Sequence, residues 1–328
     1  MAPHHFALIV LICLVWGFNF VAGKVGVEQF PPLFFTALRF CIVGVLLAPL
    51  LRWYPGRMRQ VMLIGIFAGS LHFGLIFVGL TMADVGTAAI VTQLNVPFVT
   101  LLSVLVLGEQ IGWKRGLGIS LAIVGVMVIS FDPGVFDQGM GLVLMAGAAL
   151  CIAVAMIMMR RMRGVSALGM QAWIALLSAP ALLAASFLVE TDQWAAARTA
   201  EPIAWAAVFY TALGASLIGH GGMYYLLQRY EASLTGPMMV MAPIFSIFFG
   251  VTVLGEPMTG RILVGGGVTL LGVLIVALRE GRKARPVAPA GTAPGVQAPG
   301  QQALGRHALG QQAPGPADPA SPSAERVP

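Results

Sequence analysis

Pro97-Phe98-Val99, an apolar run closing on Val106-Leu107-Gly108-Glu109-Gln110, a basic turn at Lys114-Arg115, then Gly118 and Leu121-Ala122-Ile123-Val124-Gly125-Val126: this stretch occurs twice in the chain. The second copy starts at Pro243, closes its apolar run on Val253-Leu254-Gly255-Glu256-Pro257, turns through Arg261 and continues with Gly265 and Val268-Thr269-Leu270-Leu271-Gly272-Val273. From the Gly-Glu pair onward the two copies keep a constant offset, and between Pro and Glu the second is one residue longer. A match of this length marks an internal duplication, and it organises the reading of everything around it.

Composition sets the surroundings of the repeat. With 58% hydrophobic and 10% charged residues and a mean hydropathy of +0.87, the chain departs from soluble domains, whose charged fraction is about a quarter. Apolar runs near the roughly 20 residues that cross a bilayer recur along it, with the glycine content that close helix packing uses. Cys13, Cys41 and Cys151 all fall inside such runs and read as small apolar fillers. The net charge of +6 is accounted for by Lys and Arg gathered on the cytoplasmic side of spans, so no nucleic-acid partner is expected. The first apolar run has no basic leader and no small-x-small cleavage pattern, and is expected to stay as a span.

The expected fold is an all-α membrane protein with ten transmembrane helices, near 5–24, 32–52, 60–82, 87–107, 112–131, 139–160, 169–189, 204–227, 233–254 and 260–279. Turn formers and charges separate them: Pro31-Pro32, Pro55-Gly56, Asp132-Pro133-Gly134, Arg160 to Gly164, Asp192 and Glu201-Pro202. The stretch Gln193 to Ala200 is the longest connection, with room for a small interfacial helix anchored by Trp194. With a cytoplasmic N-terminus, the inside connections collect Arg52, Arg57, Arg59, Lys114, Arg115, Arg160, Arg161, Arg163, Arg229, Arg279, Arg282, Lys283 and Arg285. The outside ones hold Lys24, Arg198 and Arg261. That asymmetry predicts a multi-pass protein of the inner membrane with both termini cytoplasmic. Past Arg285 the chain turns to Ala, Pro, Gly and Gln with a rough five-residue period, a composition too poor in apolar surface to fold.

The duplication extends beyond its clearest stretch. Trp16-Gly17-Phe18 followed by Lys24 lines up with Ile152-Ala153-Val154 followed by Arg160, Ala48-Pro49 with Ala179-Pro180, and Asp84 with Glu231. The expected division is a first repeat over 1–135, a second over 136–283 and a cytoplasmic tail over 284–328. Five spans per half being odd, the second copy enters the membrane from the opposite side, which puts Glu109 at the cytoplasmic face and Glu256 at the external one. Inverted halves are a recurring build of secondary transporters, with the substrate near the midplane between them. A channel or a purely structural protein stays compatible with the same pattern.

Val15-Trp16-Gly17-Phe18-Asn19-Phe20 with Lys24, Pro31-Pro32, Arg39-Phe40 and the paired Leu-Gly-Glu motifs resemble the EamA group of the drug/metabolite transporter superfamily, over roughly residues 6 to 279. Asn19-Phe20-Val21 with Lys24-Val25-Gly26, Pro31-Pro32-Leu33 and Gln228-Arg229-Tyr230-Glu231 are most similar to the branch that exports O-acetylserine, cysteine and related metabolites. The resemblance implies ten helices in two inverted repeats, a central cavity and secondary transport without nucleotide hydrolysis. In agreement, no Gly-x4-Gly-Lys-Ser/Thr pattern occurs, and no cofactor is expected. The second half departs from the family pattern at Ile152, where Trp is common, and carries Met170 where the first half has Arg39.

The polar residues inside spans are the candidates for the site. Arg39 lies about two turns inside its helix, where a charge costs roughly 2.5 to 3.5 kcal/mol and needs a partner or a wet cavity. It reads as the seat of a substrate carboxylate, or as a snorkelling or structurally hydrogen-bonded side chain. Trp16 and Asn19 are hydrogen-bonding groups in mid-span, able to contact a zwitterion or to tie helices together. Gln93 and Asn95 precede Pro97, which frees a carbonyl upstream, and join the substrate-binding candidates with Tyr224. His72 and His220 hold near-equivalent places in the third and eighth spans and are candidates for proton coupling, or for packed, hydrogen-bonded histidines. Glu109 and Glu256 read as structural turn residues, capping helix ends or pairing with Lys114-Arg115 and Arg261, and Lys24 as a snorkelling or site lysine. No His, Cys and carboxylate cluster has ligand spacing, so no metal is expected, and no nucleophile with a base or paired carboxylates marks an enzyme. The function expected is export of small polar metabolites, amino acids or derivatives, by alternating access. A drug or nucleotide-sugar carrier, or a membrane enzyme or scaffold, is the alternative.

Overall fold

The computed structural model describes residues 2–108, 110, 112–131, 137–162, 165–227, 229–230, 235 and 238–281; Glu109, the Tyr224 side chain and the Ala/Pro/Gly/Gln tail lie outside the described residues. Every regular element among the described residues is a helix. Nine of these are long and apolar enough to cross a membrane: α1 Pro3–Gln29, α2 Pro32–Leu50, α3 Met58–Leu80, α4 Val85–Leu107, α5 Trp113–Ser130, α6 Gly139–Arg160, α7 Ala167–Val189, α9 Pro202–Met223 and α11 Gly260–Leu278. Between α7 and α9 lies the short α8, Gln193–Thr199, at the place expected for an interfacial helix and with Trp194 exposed. The remaining apolar helix, α10, runs Met241–Leu254 and has 14 residues. At 1.5 Å per residue it rises about 21 Å, short of a ~30 Å hydrocarbon core, so nine membrane-length helices are described where ten were expected.

The Leu-Gly-Glu motif has the same local conformation in both copies. Gly108 ends α4 at φ 67°, ψ 21°, and Gly255 ends α10 at φ 70°, ψ 23°. This left-handed cap is open to glycine at little cost, and it stops each helix while turning the chain toward the next one. At the second copy the Glu256 N–H donates back to the Gly250 carbonyl at 3.1 Å, satisfying an acceptor that the helix end leaves over.

Helix packing repeats the duplication in space. α5 packs along α11 and α2 along α7, while α1 lies against α10 and α9, and α6 against α3 and α4. Match α1 to α5 in order with α6, α7, α9, α10 and α11. Exchanging the two sets then turns α1/α10 into α6/α4 and α3/α6 into α9/α1, and returns α2/α7 and α5/α11 to themselves. The α5/α11 seam carries the relation down to single residues. A Cβ on Gly118 would stand 2.8 Å from the Gly272 carbonyl oxygen, and one on Gly125 2.5 Å from that of Gly265, with reverse approaches of 2.5 and 2.7 Å. Side chains do not fit at such distances. The backbones touch because lipid offers no hydrophobic drive between helices, and close van der Waals contact replaces it. Outward, Val45, Leu105 and Leu188 stand three-quarters or more exposed, the apolar surface a bilayer requires.

Polar contacts join the helices at the end of the bundle that holds the α3–α4 turn. Lys24 Nζ donates to the Leu80 and Ala83 carbonyls at 2.8 and 3.1 Å, and the Asp84 carboxylate accepts from Gln138 Nε2 at 2.7 Å. Glu256 accepts from the Val85 and Gly86 amides, and Glu190 from those of Leu33 and Phe34. Each glutamate thus caps the first turn of a helix distant in sequence, where the helix dipole and unpaired amides favour an anion. Of the two roles expected for Glu256, capping a helix end is the one seen, on a helix of the other half, while Arg261 Nη1 donates to the Phe131 carbonyl.

Candidate functional site

Three helix irregularities lie in or beside the polar interior. α3 contains a π-helical stretch at Ile66–Leu71 that ends on the residue before His72, and α9 contains one at Tyr210–His220 that ends on His220 itself. π-turns are rare and widen a helix locally, releasing carbonyls from their usual partners. α4 tightens to a 3-10 turn at Thr92–Leu94, just ahead of Pro97, which cannot donate to the Gln93 carbonyl one turn earlier.

The 3-10 turn of α4, the π-helical stretch of α9 and the residues that follow the one in α3 face a cavity of about 230 Å³. Trp16 and Asn19 from α1, Arg39 from α2, His72 from α3, Gln93 and Asn95 from α4 and His220 from α9 all line it. Seven side chains singled out from the sequence are therefore brought together, with α10 adding Pro243 and Ser246. The backbone of Tyr224 continues α9 beyond His220. Glu109 lies outside the described residues, and Glu256 belongs to the end cap rather than to the cavity.

Arg39 is the charged group of this cavity. It is 1% exposed, its Nε and Nη2 donate to Ser216 Oγ at 3.3 and 3.1 Å, and its guanidinium carbon lies 4.3 Å from the centre of the Phe73 ring. Ser216 Oγ in turn donates to the Thr211 carbonyl at 3.2 Å, which leaves the hydroxyl lone pairs for Arg39. Stacking on a desolvated aromatic face contributes about 2 kcal/mol and offsets part of the cost of burying the cation. The third nitrogen, Nη1, has no hydrogen-bond partner, and no Asp or Glu is among the described lining residues. Asn19 Oδ1, also buried, likewise has no partner.

The two histidines are held in defined tautomers. His72 Nδ1 lies 2.8 Å from the Ala148 carbonyl on α6, and His220 Nδ1 lies 2.9 Å from the Ala215 carbonyl, five residues back on its own π-helical stretch. A carbonyl only accepts, so each Nδ1 carries the hydrogen and Nε2 of the neutral ring is the acceptor. The Ala215 carbonyl also takes the Trp16 indole N–H at 3.2 Å, and the Trp16 and His220 rings meet edge-on at 5.2 Å. Gly219 leaves room for that indole, since a Cβ there would stand 2.2 Å from Trp16 Nε1.

Ser216 and Phe73 were not among the residues picked out from the sequence. Phe73 adjoins His72 and Ser216 precedes His220 by about one turn, and that neighbourhood was their sole signal. The π-helical register that turns Ser216 toward Arg39 leaves no mark in hydropathy.

Membrane-length helices from both halves of a duplicated chain, gathered around a cavity that collects their polar side chains, define the class: a multi-pass membrane transporter. The EamA-like transporter family matches residues 6–131 and 139–278, and the chain belongs to that family. It is 28% identical to an uncharacterized transporter of Archaeoglobus fulgidus, over 83% of this chain and 98% of that one. It is 26% identical to a probable amino-acid metabolite efflux pump of Escherichia coli, covering 82% of this chain and 93% of the pump. A S-adenosylmethionine/S-adenosylhomocysteine transporter of Chlamydia trachomatis is 25% identical over 84% of this chain and 90% of its own. A solved crystal structure 20% identical to the chain, spanning 86% of it and 99% of the solved one, superposes with a TM-score of 0.60, a likeness of fold.

Proposed function

We propose that the protein is a secondary transporter that exports small polar metabolites, amino acids or their derivatives, by alternating access. It works as ten helices in two inverted repeats, 1–135 and 136–283, in the inner membrane with both termini in the cytoplasm. The helix pairings that map onto themselves when the halves are exchanged support this architecture.

The observation that carries the functional reading is Arg39: a buried guanidinium with an unpartnered nitrogen in a cavity bounded by both halves, with no carboxylate among the described lining residues. A cation left this way in low dielectric is stabilised by an anionic group brought in by the substrate. Trp16, Asn19, Gln93, Asn95 and Tyr224 complete the substrate site. His72 and His220 are its proton-coupling groups, being the titratable imidazoles among the described lining residues. The cavity falls below the roughly 300–1,000 Å³ of drug-sized sites, which favours a small metabolite over a drug or nucleotide sugar. Export as the direction follows the name of the Escherichia coli relative.

The test is efflux of labelled amino acids from cells overproducing the protein, from cells producing Arg39→Ala, and from empty-vector cells. Faster release of at least one compound with the intact protein alone is expected. Release equal to the empty vector for every compound would end this reading.

A further inference from the structure

We propose that Lys24 and Glu256 are the two arms of a latch that closes the cavity at the α3–α4 turn, and that both contacts part each time the cavity opens to that side. This rests on the transport reading above and adds to it the residues that hold one gate shut.

The cavity lies between two groups of helices that do not follow the repeats. α1 packs on α9 and α10, and α6 packs on α3 and α4. Trp16, Asn19, His220 and Ser246 line the cavity from the first group, His72 and Gln93 from the second. The groups meet at one end. α1 packs against His72–Leu80 and Val85–Val91, and α10 against Val85–Val91; among the described residues neither runs along 58–71 or Asn95–Leu107. Toward the closed end the passage is filled. Phe77, Leu80, Val85 and Ala88 are all buried there, and a Cβ on Gly23 would stand 2.6 Å from Phe77 and 3.1 Å from Leu80. Opening on this side therefore requires the two groups to separate.

The first group grips the α3–α4 turn with opposite charges. Lys24 of α1 donates to the Leu80 and Ala83 carbonyls, where α3 ends, and Glu256, which follows α10, accepts from the Val85 and Gly86 amides, where α4 begins. A cation at a helix C-terminus and an anion at a helix N-terminus each complement the dipole. Gly250 of α10 leaves the carboxylate its seat, since a Cβ there would stand 2.5 Å from Glu256 Oε2. Lys24 and Glu256 are only half-buried, so water takes over each partner when the groups part, and the contact is reversible. The neighbouring ties do not cross between the groups: Asp84 and Gln138 join α4 to the start of α6, and Glu190 joins α7 to α2.

The experiment is labelling of a single cysteine by a membrane-impermeant maleimide, in sealed vesicles of either orientation holding the full chain with Cys13→Ala, Cys41→Ala, Cys151→Ala and Ala89→Cys. Ala89 lines the cavity and is 1% exposed. A parallel chain with Met82→Cys, exposed on the α3–α4 turn, identifies the membrane face that this turn occupies. From that face the cysteine at position 89 is expected to react slowly, and at least about fivefold faster once Lys24→Met or Glu256→Gln removes one arm and shifts the population toward the open state. Glu190→Gln, a cap lost at the same end without crossing between the groups, should leave the rate as it was. An equal rise with Glu190→Gln would mark general loosening and overturn the latch, as would a rate unmoved by both Lys24→Met and Glu256→Gln. Faster labelling of the chain with both arms intact from the turn's face than from the opposite face overturns it without any latch variant. Labelled efflux separates the two failures: efflux by the intact protein with labelling unmoved leaves the transport reading standing and removes the latch. No efflux together with unmoved labelling removes both.

Discussion

The Glu256 carboxylate holds the first turn of the helix that begins at Val85, its two oxygens accepting from the Val85 and Gly86 amides at 2.5 and 3.0 Å. A residue from the far end of the chain thereby caps a helix of the first half. Glu256→Ala leaves the Val85 and Gly86 amides without their acceptors and is expected to cost about 1–2 kcal/mol. A lowered melting temperature in detergent checks this, with Glu256→Gln falling between the two.

Glu256 also gives a pH prediction. Burial pushes its carboxyl above the ordinary value, and the Gly86 and Val85 amides and Lys24 pull in the opposite direction. A carboxyl raised by folding contributes stability that is full below the ordinary value of 4.5 and is lost as pH rises through the raised one. Melting temperatures of the intact protein should therefore fall relative to those of Glu256→Gln as the pH rises above 4.5. Parallel curves for the two proteins would contradict it.

Gly125 and Gly265 lie at a close approach of α5 and α11, and Gly267, with nothing within 4 Å of a Cβ, provides the control on α11 itself. Gly265→Ala is expected to destabilise by on the order of 2 kcal/mol through overpacking, whereas Gly267→Ala is neutral or slightly stabilising. Melting temperatures of the two variants, measured side by side, decide it.

His72→Gln keeps a side-chain donor for the Ala148 carbonyl but cannot take a proton at physiological pH. In proteoliposomes it is expected to retain exchange of substrate across the membrane and to lose accumulation driven by a pH gradient. Unchanged gradient-driven accumulation would remove His72 from coupling.

Much of the architecture was legible because a duplication leaves the same letters twice. The Gly108 and Gly255 caps and the Gly118, Gly125, Gly265 and Gly272 seam all sit in the repeated stretch. The lining residues were legible for another reason: Asn19, Arg39, His72, Gln93, Asn95 and His220 are polar inside apolar helices, which is costly without a cavity. What escaped the sequence depends on register or distance. Ser216 meets Arg39 because a π-helical stretch turns the chain, and hydropathy carries no signal of that turn. Glu256 reaches an amide from the other half of the chain, a long-range partner that local spacing favoured less than nearby Arg261. The span expected at 233–254 takes in Leu234 and Met238-Met239-Val240 ahead of α10, and hydropathy averaged over a window passes over the Gly236-Pro237 break.

The central claim is that Arg39 receives the transported substrate. Replacing it with Met removes a buried charge, so the variant should fold with a melting temperature equal to or above that of the intact protein. Counterflow of labelled amino acids in proteoliposomes, intact protein against Arg39→Met, tests the claim most directly. Exchange by the intact protein and none by the folded variant is the predicted result; equal exchange by both would contradict it.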